Sequence, residues 1–281
     1  MQHHIPAASK MIPPALSRFF YARRLPLASV HEISKTIIQI SRSHDLWQVW
    51  CDYIQLTATA IANAVDKRQP VWQQREDAYM QTIKRYSKDE IKLIQQAFMQ
   101  TVEALEATPA DVLGQTYMQL ELGNKWRGQF FTPDSLCRVM ALMKTGDIKK
   151  QIKNRGFVTL NEPTVGGGAM VIGVVNSMSD SGINPQTCLH VTASDIDIKS
   201  VHMCYIQLSL LGIPAVIVHG NPLTLDEWSH WYTPMHIIHG WNQKLKGQPT
   251  LHEMTATLEL ASRLEQPINS PPKKADQLAL F

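Results

Sequence analysis

The sequence is poor in cysteine: Cys51, Cys137, Cys188 and Cys204 are the only four in 281 residues, and no two form a CxxC pair. That spacing excludes a zinc ribbon or a dense disulfide framework and suits a reducing cytoplasm. Long apolar runs are missing as well. No stretch approaches the ~18 consecutive apolar residues of a membrane-crossing helix, so no membrane span is expected. Acids are missing from the first part of the chain, where none precedes Glu32, while Lys10, Arg18, Arg23 and Arg24 give that arm +4. The whole chain carries only +3, so the remainder sums to −1. A body this neutral is excluded as a broad electrostatic binder of nucleic acid, and any such contact must be a local patch. No internal repeat is visible. What is present is ordinary globular material, 44% hydrophobic and 18% charged, with length for one large domain or two modest ones.

The texture divides the chain into four stretches. Residues 1–29 form a basic arm broken by Pro6, Pro13, Pro14 and Pro26, open to three readings: an inert packed arm, a DNA- or partner-contacting arm, or an organelle transit peptide. Residues 30–123 read as a helical domain. Leu46, Val49, Trp50, Tyr53, Ile54, Ile61 and Val65 recur at three- and four-residue steps, which puts them on one helix face. Pro70 stands near the first turn of another helix, and Thr108-Pro109 offers a cap with proline at the first helical position. Residues 124–262 alternate short apolar runs with helical patterns, and 263–281 form a polar, proline-bearing tail.

Within 124–262, strands are expected at Phe157–Leu160, Leu189–Ser194 and Ala215–Val218, with helices between them. Strand, helix, strand, helix, strand predicts a parallel, Rossmann-like sheet. The first strand runs into Glu162-Pro163-Thr164-Val165-Gly166-Gly167-Gly168, a glycine loop opening a helix. Such a loop lets backbone amides approach a ligand closely. A carboxylate just before it repels a pyrophosphate, which argues against a nicotinamide enzyme, and suits the amino group of a methionine moiety. Asp195 closes the second strand, where an acid can hold ribose hydroxyls, and Asn221 closes the third, near the place of an adenine ring. Capping of helices and turns is the simpler role for each residue singly; together with the loop they describe a nucleoside site at the carboxyl edge of the sheet.

Ahead of this loop, Gly128-Gln129-Phe130-Phe131-Thr132-Pro133 resembles the G-Q-F-F-T-P segment of N6-adenine DNA methyltransferases, among them the methylation subunits of bacterial type I restriction-modification systems. The glycine loop is similar to that family's D-P-x-x-G-x-G cofactor loop, with Glu162 for the aspartate. The resemblance covers residues 110–232. It implies an α/β fold: a Rossmann-like class I methyltransferase domain, divergent or truncated, after a helical N-terminal domain. It further implies S-adenosylmethionine as cofactor, with Thr132, Pro133, Glu162, Pro163, Gly166, Gly168, Asp195 and Asn221 lining its site. DNA is the implied substrate, and a specificity or other partner subunit the implied company.

The chain departs from that family at the catalytic segment, an N-P-P-aromatic sequence that holds a flipped adenine. Asn221-Pro222-Leu223 carries only its first half and sits one strand early, leaving Asn221 and Pro222 as the catalytic candidates; Ser270-Pro271-Pro272-Lys273 lacks the ring. His236–Trp241 is a candidate fourth strand. Two readings therefore stand, an active adenine-N6 methyltransferase and a module that binds cofactor or DNA without transfer. His236 and His239 have helical spacing but no cysteine or carboxylate to complete a metal site, so no metal is expected. Trp228, Trp231 and Trp241 are expected to pack. The chain ends in Gln277-Leu278-Ala279-Leu280-Phe281, which resembles the peptide by which bacterial replication and repair proteins bind the sliding clamp; Gln277, Leu278, Leu280 and Phe281 are its contact residues by that resemblance.

Overall fold

A computed structural model gives the fold and describes residues 29–122 and 147–246. By its contacts the chain divides into two compact units, Met1–Trp241 and Asn242–Phe281. The first carries the sheet and all but the last of the helices described below.

Local chemistry sets the helical region. Helix α1 (Val30–Ile40) starts where the Ser29 hydroxyl accepts the Glu32 N–H, and it buries Ile33, Ile37 and Ile40 along one face. Helix α2 (Leu46–Val65) is capped by Asp45, which accepts the Gln48 N–H at 3.0 Å. Its periodicity predicts one buried face, yet Leu56, Thr57, Ala58 and Thr59 are all covered. The reason is position: α2 lies among α1, α3 (Val71–Ile83) and a helix of the sheet region, so it has no solvent side over much of its length. Helix α4 (Lys88–Ala107) begins with a reciprocal cap between Ser87 and Glu90. The step into α5 (Val112–Gln119) differs from the sequence expectation. Thr108 ends α4 instead of opening the next helix, and Asp111 caps α5 by accepting the Gly114 N–H at 2.9 Å.

After α6 (Asp147–Arg155) comes a four-stranded sheet in the order β1-β2-β3-β4. Strands β1 (Val158–Glu162), β2 (Leu189–Asp195) and β3 (Ala215–Asn221) are parallel, as the alternating pattern predicts. Helices α7 (Ala169–Asp180) and α9 (Ile198–Leu210) make the crossovers, with the one-turn α8 (Pro185–Cys188) before β2. Strand β4 (Asp226–Tyr232) returns antiparallel to β3. The 236–241 stretch is not a strand: Pro234 occupies the first turn of α10 (Pro234–Ile238), and α11 (Trp241–Leu245) follows. Thr233 closes this end, its hydroxyl donating to the Ile213 carbonyl and accepting the Ala215 N–H, both at 2.8 Å.

Helix α9 is the wall shared by both regions. It packs on β2 and β3 from one side and on α2 from the other, with Val201, Cys204, Tyr205, Ile206 and Leu208 wholly buried. Strands β2 and β3 are largely covered, with Thr192 the one exposed residue between them, whereas β1 exposes Thr159 and Asn161. Among the described residues, no helix is long and apolar enough to cross a membrane.

Candidate functional site

The parallel register brings the ends of β1, β2 and β3 to one edge, and with them Glu162, Asp195 and Asn221. Between β1 and α7 the chain turns through Gly166 (φ +54°) and Gly168 (φ +103°), left-handed conformations that favour glycine. Gly168 is the cap residue of α7 and has no side chain to satisfy the first-turn amides. The loop is tied down along its length. Val165 N–H donates to the Ser194 carbonyl at 3.0 Å, Gly166 N–H to Asp195 Oδ2 at 2.9 Å, and Gly168 N–H to the Val165 carbonyl at 2.9 Å.

Asp195 therefore does two things. Oδ2 holds the loop, and Oδ1 accepts the Asp197 N–H at 2.8 Å as the chain enters α9. Asp197 in turn caps α9 and pairs with Lys199 at 2.7 Å. Burial pushes the Asp195 carboxyl up from the usual range, and the two backbone donors only partly offset that. Among the described residues no cation pairs with it, which leaves an acceptor poised for donors brought by a ligand. Glu162 is half-buried and makes only long contacts of 3.3 and 3.4 Å with the Thr164 amide and hydroxyl. Asn221 Oδ1 accepts the Leu223 N–H at 3.0 Å, and Pro222 follows in the β3–β4 turn. Ile196, beside Asp195, is 58% exposed and gives this edge an apolar surface.

Three residues unmarked by the sequence motifs belong to this assembly. Gln207, on α9, donates through Nε2 to the Gly167 carbonyl at 2.6 Å and to Asp111 Oδ1 at 2.8 Å. Cys204 lies under the loop, its Sγ 3.3 Å from where a β-carbon on Gly168 would stand. Burial raises its thiol well above the usual value, and Asp111, Asp195 and Glu162 add to the rise. The thiol is an inert packing group there.

Among the other predicted residues, Thr132, Pro133, Gln277, Leu278, Leu280 and Phe281 lie outside the described residues. His236 is buried, its Nδ1 2.9 Å from His190 Nε2, and the His190 ring packs on Trp241. Among the described residues no cluster of three or more potential ligands could hold a metal. Trp231 and Trp241 are buried as expected of packing residues, whereas Trp228 is 55% exposed on β4.

These residues fit S-adenosylmethionine: a glycine-turned backbone leading into a helix whose first turn no side chain caps, which suits a carboxylate, an acid ahead of the loop for an amino group, and a second acid at the next strand for a ribose. The model of the N-6 DNA methylase family matches residues 109–279. No curated protein matches the chain. Among solved structures, a protein of Listeria monocytogenes described as a class I S-adenosylmethionine-dependent methyltransferase matches at 12% identity and TM-score 0.39, over 69% of this chain and 52% of that one. The methyltransferase subunit of a type I restriction-modification system from Streptococcus thermophilus matches at 16% identity and TM-score 0.32, over 70% of this chain and 39% of that one. The chain thus spans about half or less of the length of these two proteins. Because the family model covers more than half of the sequence, the chain belongs to the N-6 DNA methylase family, methyltransferases that use S-adenosylmethionine.

Proposed function

We propose that this chain methylates adenine in DNA at N6, with S-adenosylmethionine held at the glycine-loop edge of the sheet. The observation that carries the reading is the bond from Gly166 N–H to Asp195, which joins the loop of the first strand to the acid of the second in one site. Glu162 and Pro163 meet the amino-acid end of the cofactor, Gly166 and Gly168 turn the backbone so that the uncapped first turn of α7 meets its carboxylate, Asp195 meets the ribose hydroxyls, and Asn221 the adenine. The cofactor supplies an electrophilic methyl group on a cationic sulfur. The chain's own residues would hold the target amine while it receives that group, and the proton the amine gives up would pass to water. Asn221 Oδ1 and the Pro222 carbonyl are the nearest counterparts of the family's amine-binding segment. Asn221 Oδ1 spends one lone pair on Leu223 and keeps the other. Thr132 and Pro133 contribute to the same site in this reading.

DNA contact falls to a local surface or to a partner subunit, since the net charge is only +3. The terminal residues Gln277, Leu278, Leu280 and Phe281 dock on the sliding clamp, which raises the local concentration of DNA without a basic surface.

The test is transfer of tritiated methyl from S-adenosylmethionine to unmethylated bacterial DNA, with protein-bound label counted in the same tube. Label recovered as N6-methyladenine supports the proposal. Label bound by protein with none in DNA overturns transfer by this chain and favours a cofactor-binding module, the reading that the missing N-P-P-aromatic segment supports. Removal of residues 277–281 should abolish co-elution with the clamp and leave cofactor binding unchanged; persistent co-elution overturns the docking.

A further inference from the structure

The middle glycine of the loop needs an explanation of its own. Gly166 and Gly168 are left-handed, but Gly167 is not, so backbone conformation does not require glycine there. The obstacle is Asp111, from the far side of the helical region. A β-carbon on Gly167 would lie 2.6 Å from Asp111 Oδ1, closer than real atoms approach. The same carboxylate accepts the Gly114 N–H at 2.9 Å, and a β-carbon on Gly114 would stand 2.0 Å from its Oδ2. Asp111 is thus wedged between the first turn of α5 and the glycine loop.

Gln207 completes the wedge and is saturated by it. Its two N–H groups serve Asp111 Oδ1 and the Gly167 carbonyl, and its Oε1 accepts the Leu113 N–H at 3.1 Å. Gln207 is wholly buried and Asp111 is 6% exposed, so neither has water to replace a lost partner. On the other side of the loop, Asn176 of α7 donates to the Pro109 carbonyl at 2.9 Å. The segment Pro109–Asp111 is therefore held by both helices that flank the glycine loop.

We propose that Asp111 and Gln207 are positioning residues for the cofactor loop, so that S-adenosylmethionine binding and the docking of the α4–α5 junction are thermodynamically coupled. This rests on reading the loop as the cofactor site. Neither residue touches the ligand. They set the backbone of Gly167 between the two left-handed turns, and coupling between sites is reciprocal: what the junction does for the ligand, the ligand does for the junction.

The experiment uses the full chain and S-adenosylmethionine, with Kd from calorimetry, hydrogen exchange of residues 109–117 with and without ligand, and thermal unfolding. Gln207→Met keeps the volume and removes all three hydrogen bonds. It should raise Kd by about tenfold and abolish the ligand-induced protection of residues 109–117 seen in the wild type, while Asp111→Asn, which keeps an acceptor oxygen, should bind near the wild-type level. Should Gln207→Met fail to fold, the loop variant Gly167→Ala gives the second reading. Its loss of affinity should shrink when combined with Asp111→Ala, because the collision is gone; independent, additive losses overturn the proposal. A Gln207→Met protein that melts lower but binds with wild-type affinity and protection also overturns it and leaves the cofactor site standing. A wild-type chain that does not bind S-adenosylmethionine removes the cofactor reading, and this inference with it.

Discussion

Two places in the first unit, the α2–α3 turn and the glycine loop, treat buried carboxylates in opposite ways. In the helical region, Asp66 is 3% exposed and lies between two guanidinium groups, Arg68 at 2.7 Å and Arg75 at 3.0 Å. Burial works against its charge, but the hydrogen bonds from Arg68 and Arg75 outweigh that and hold the carboxyl down to about 2. Arg75 also donates to the His230 carbonyl and lies over the Trp231 ring, so the ion pair pins the α2–α3 turn to β4. At the glycine loop, Asp195 and Asp111 are equally hidden but accept only from amide groups, and burial pushes both carboxyls up. A charge neutralised by the fold serves the fold. A charge left with neutral donors is costly unless something else completes it, as expected where a ligand binds.

The sharpest way to break this contrast is Asp66→Ala. It strands the buried Arg75 guanidinium, and urea unfolding should show a loss of about 3–5 kcal/mol. A loss below about 1 kcal/mol would mean that the pair behaves as an exposed one and that the contrast is false.

Acid should separate the regions next. Burial, with repulsion from His236, lowers His190 from 6.5 to about 3, and burial lowers His202 likewise. Below pH 6.5 the unfolded chain takes up protons that the folded sheet region refuses. Stability is therefore complete above that pH and falls as the pH drops toward 3, by roughly 2 kcal/mol per histidine at pH 5. Asp66 is lowered as well, but from 3.8, so its contribution is complete above that value and disappears only as the pH falls toward 2. Denaturation curves between pH 7 and 3 should steepen first from the histidines, and His202→Gln should flatten the slope between pH 6.5 and 4. A slope unchanged in that variant would count against the assignment.

The smallest effect separates function from stability. Asp195→Asn keeps an acceptor for only one of the two backbone donors, so it should cost folding about 1 kcal/mol, the worth of one hydrogen bond. It should weaken S-adenosylmethionine binding by about tenfold, measured by calorimetry. A variant that unfolds as readily as Asp66→Ala would make Asp195 a structural acid and would remove the contrast.

The features legible in the sequence were those whose cause is local. The three- and four-residue steps from Leu46 to Val65 mark α2, and the parallel strands bring Glu162, Asp195 and Asn221 to one edge of the sheet. Strand β4 was missed because Asp226, Glu227 and Trp228 at its start are all exposed, so it lacks the alternation of a half-buried strand. The 236–241 stretch misled because a short apolar run has no period of its own, and the proline ahead of it decided for a helix. Gln207 and Asp111 gave no signal at all: they lie 96 residues apart, and each has ordinary helix or cap chemistry.

By itself, then, the sequence determined the helical character of the first region, the three parallel strands, and the residues their ends present, because periodicity and strand ends act over a few residues. The tertiary structure alone decided that α2 is covered all round, that β4 turns back along β3, and that a carboxylate from the helical region stands behind the middle glycine of the loop. Those outcomes depend on packing and hydrogen bonds between distant segments, whose partners are chosen only when the layers meet.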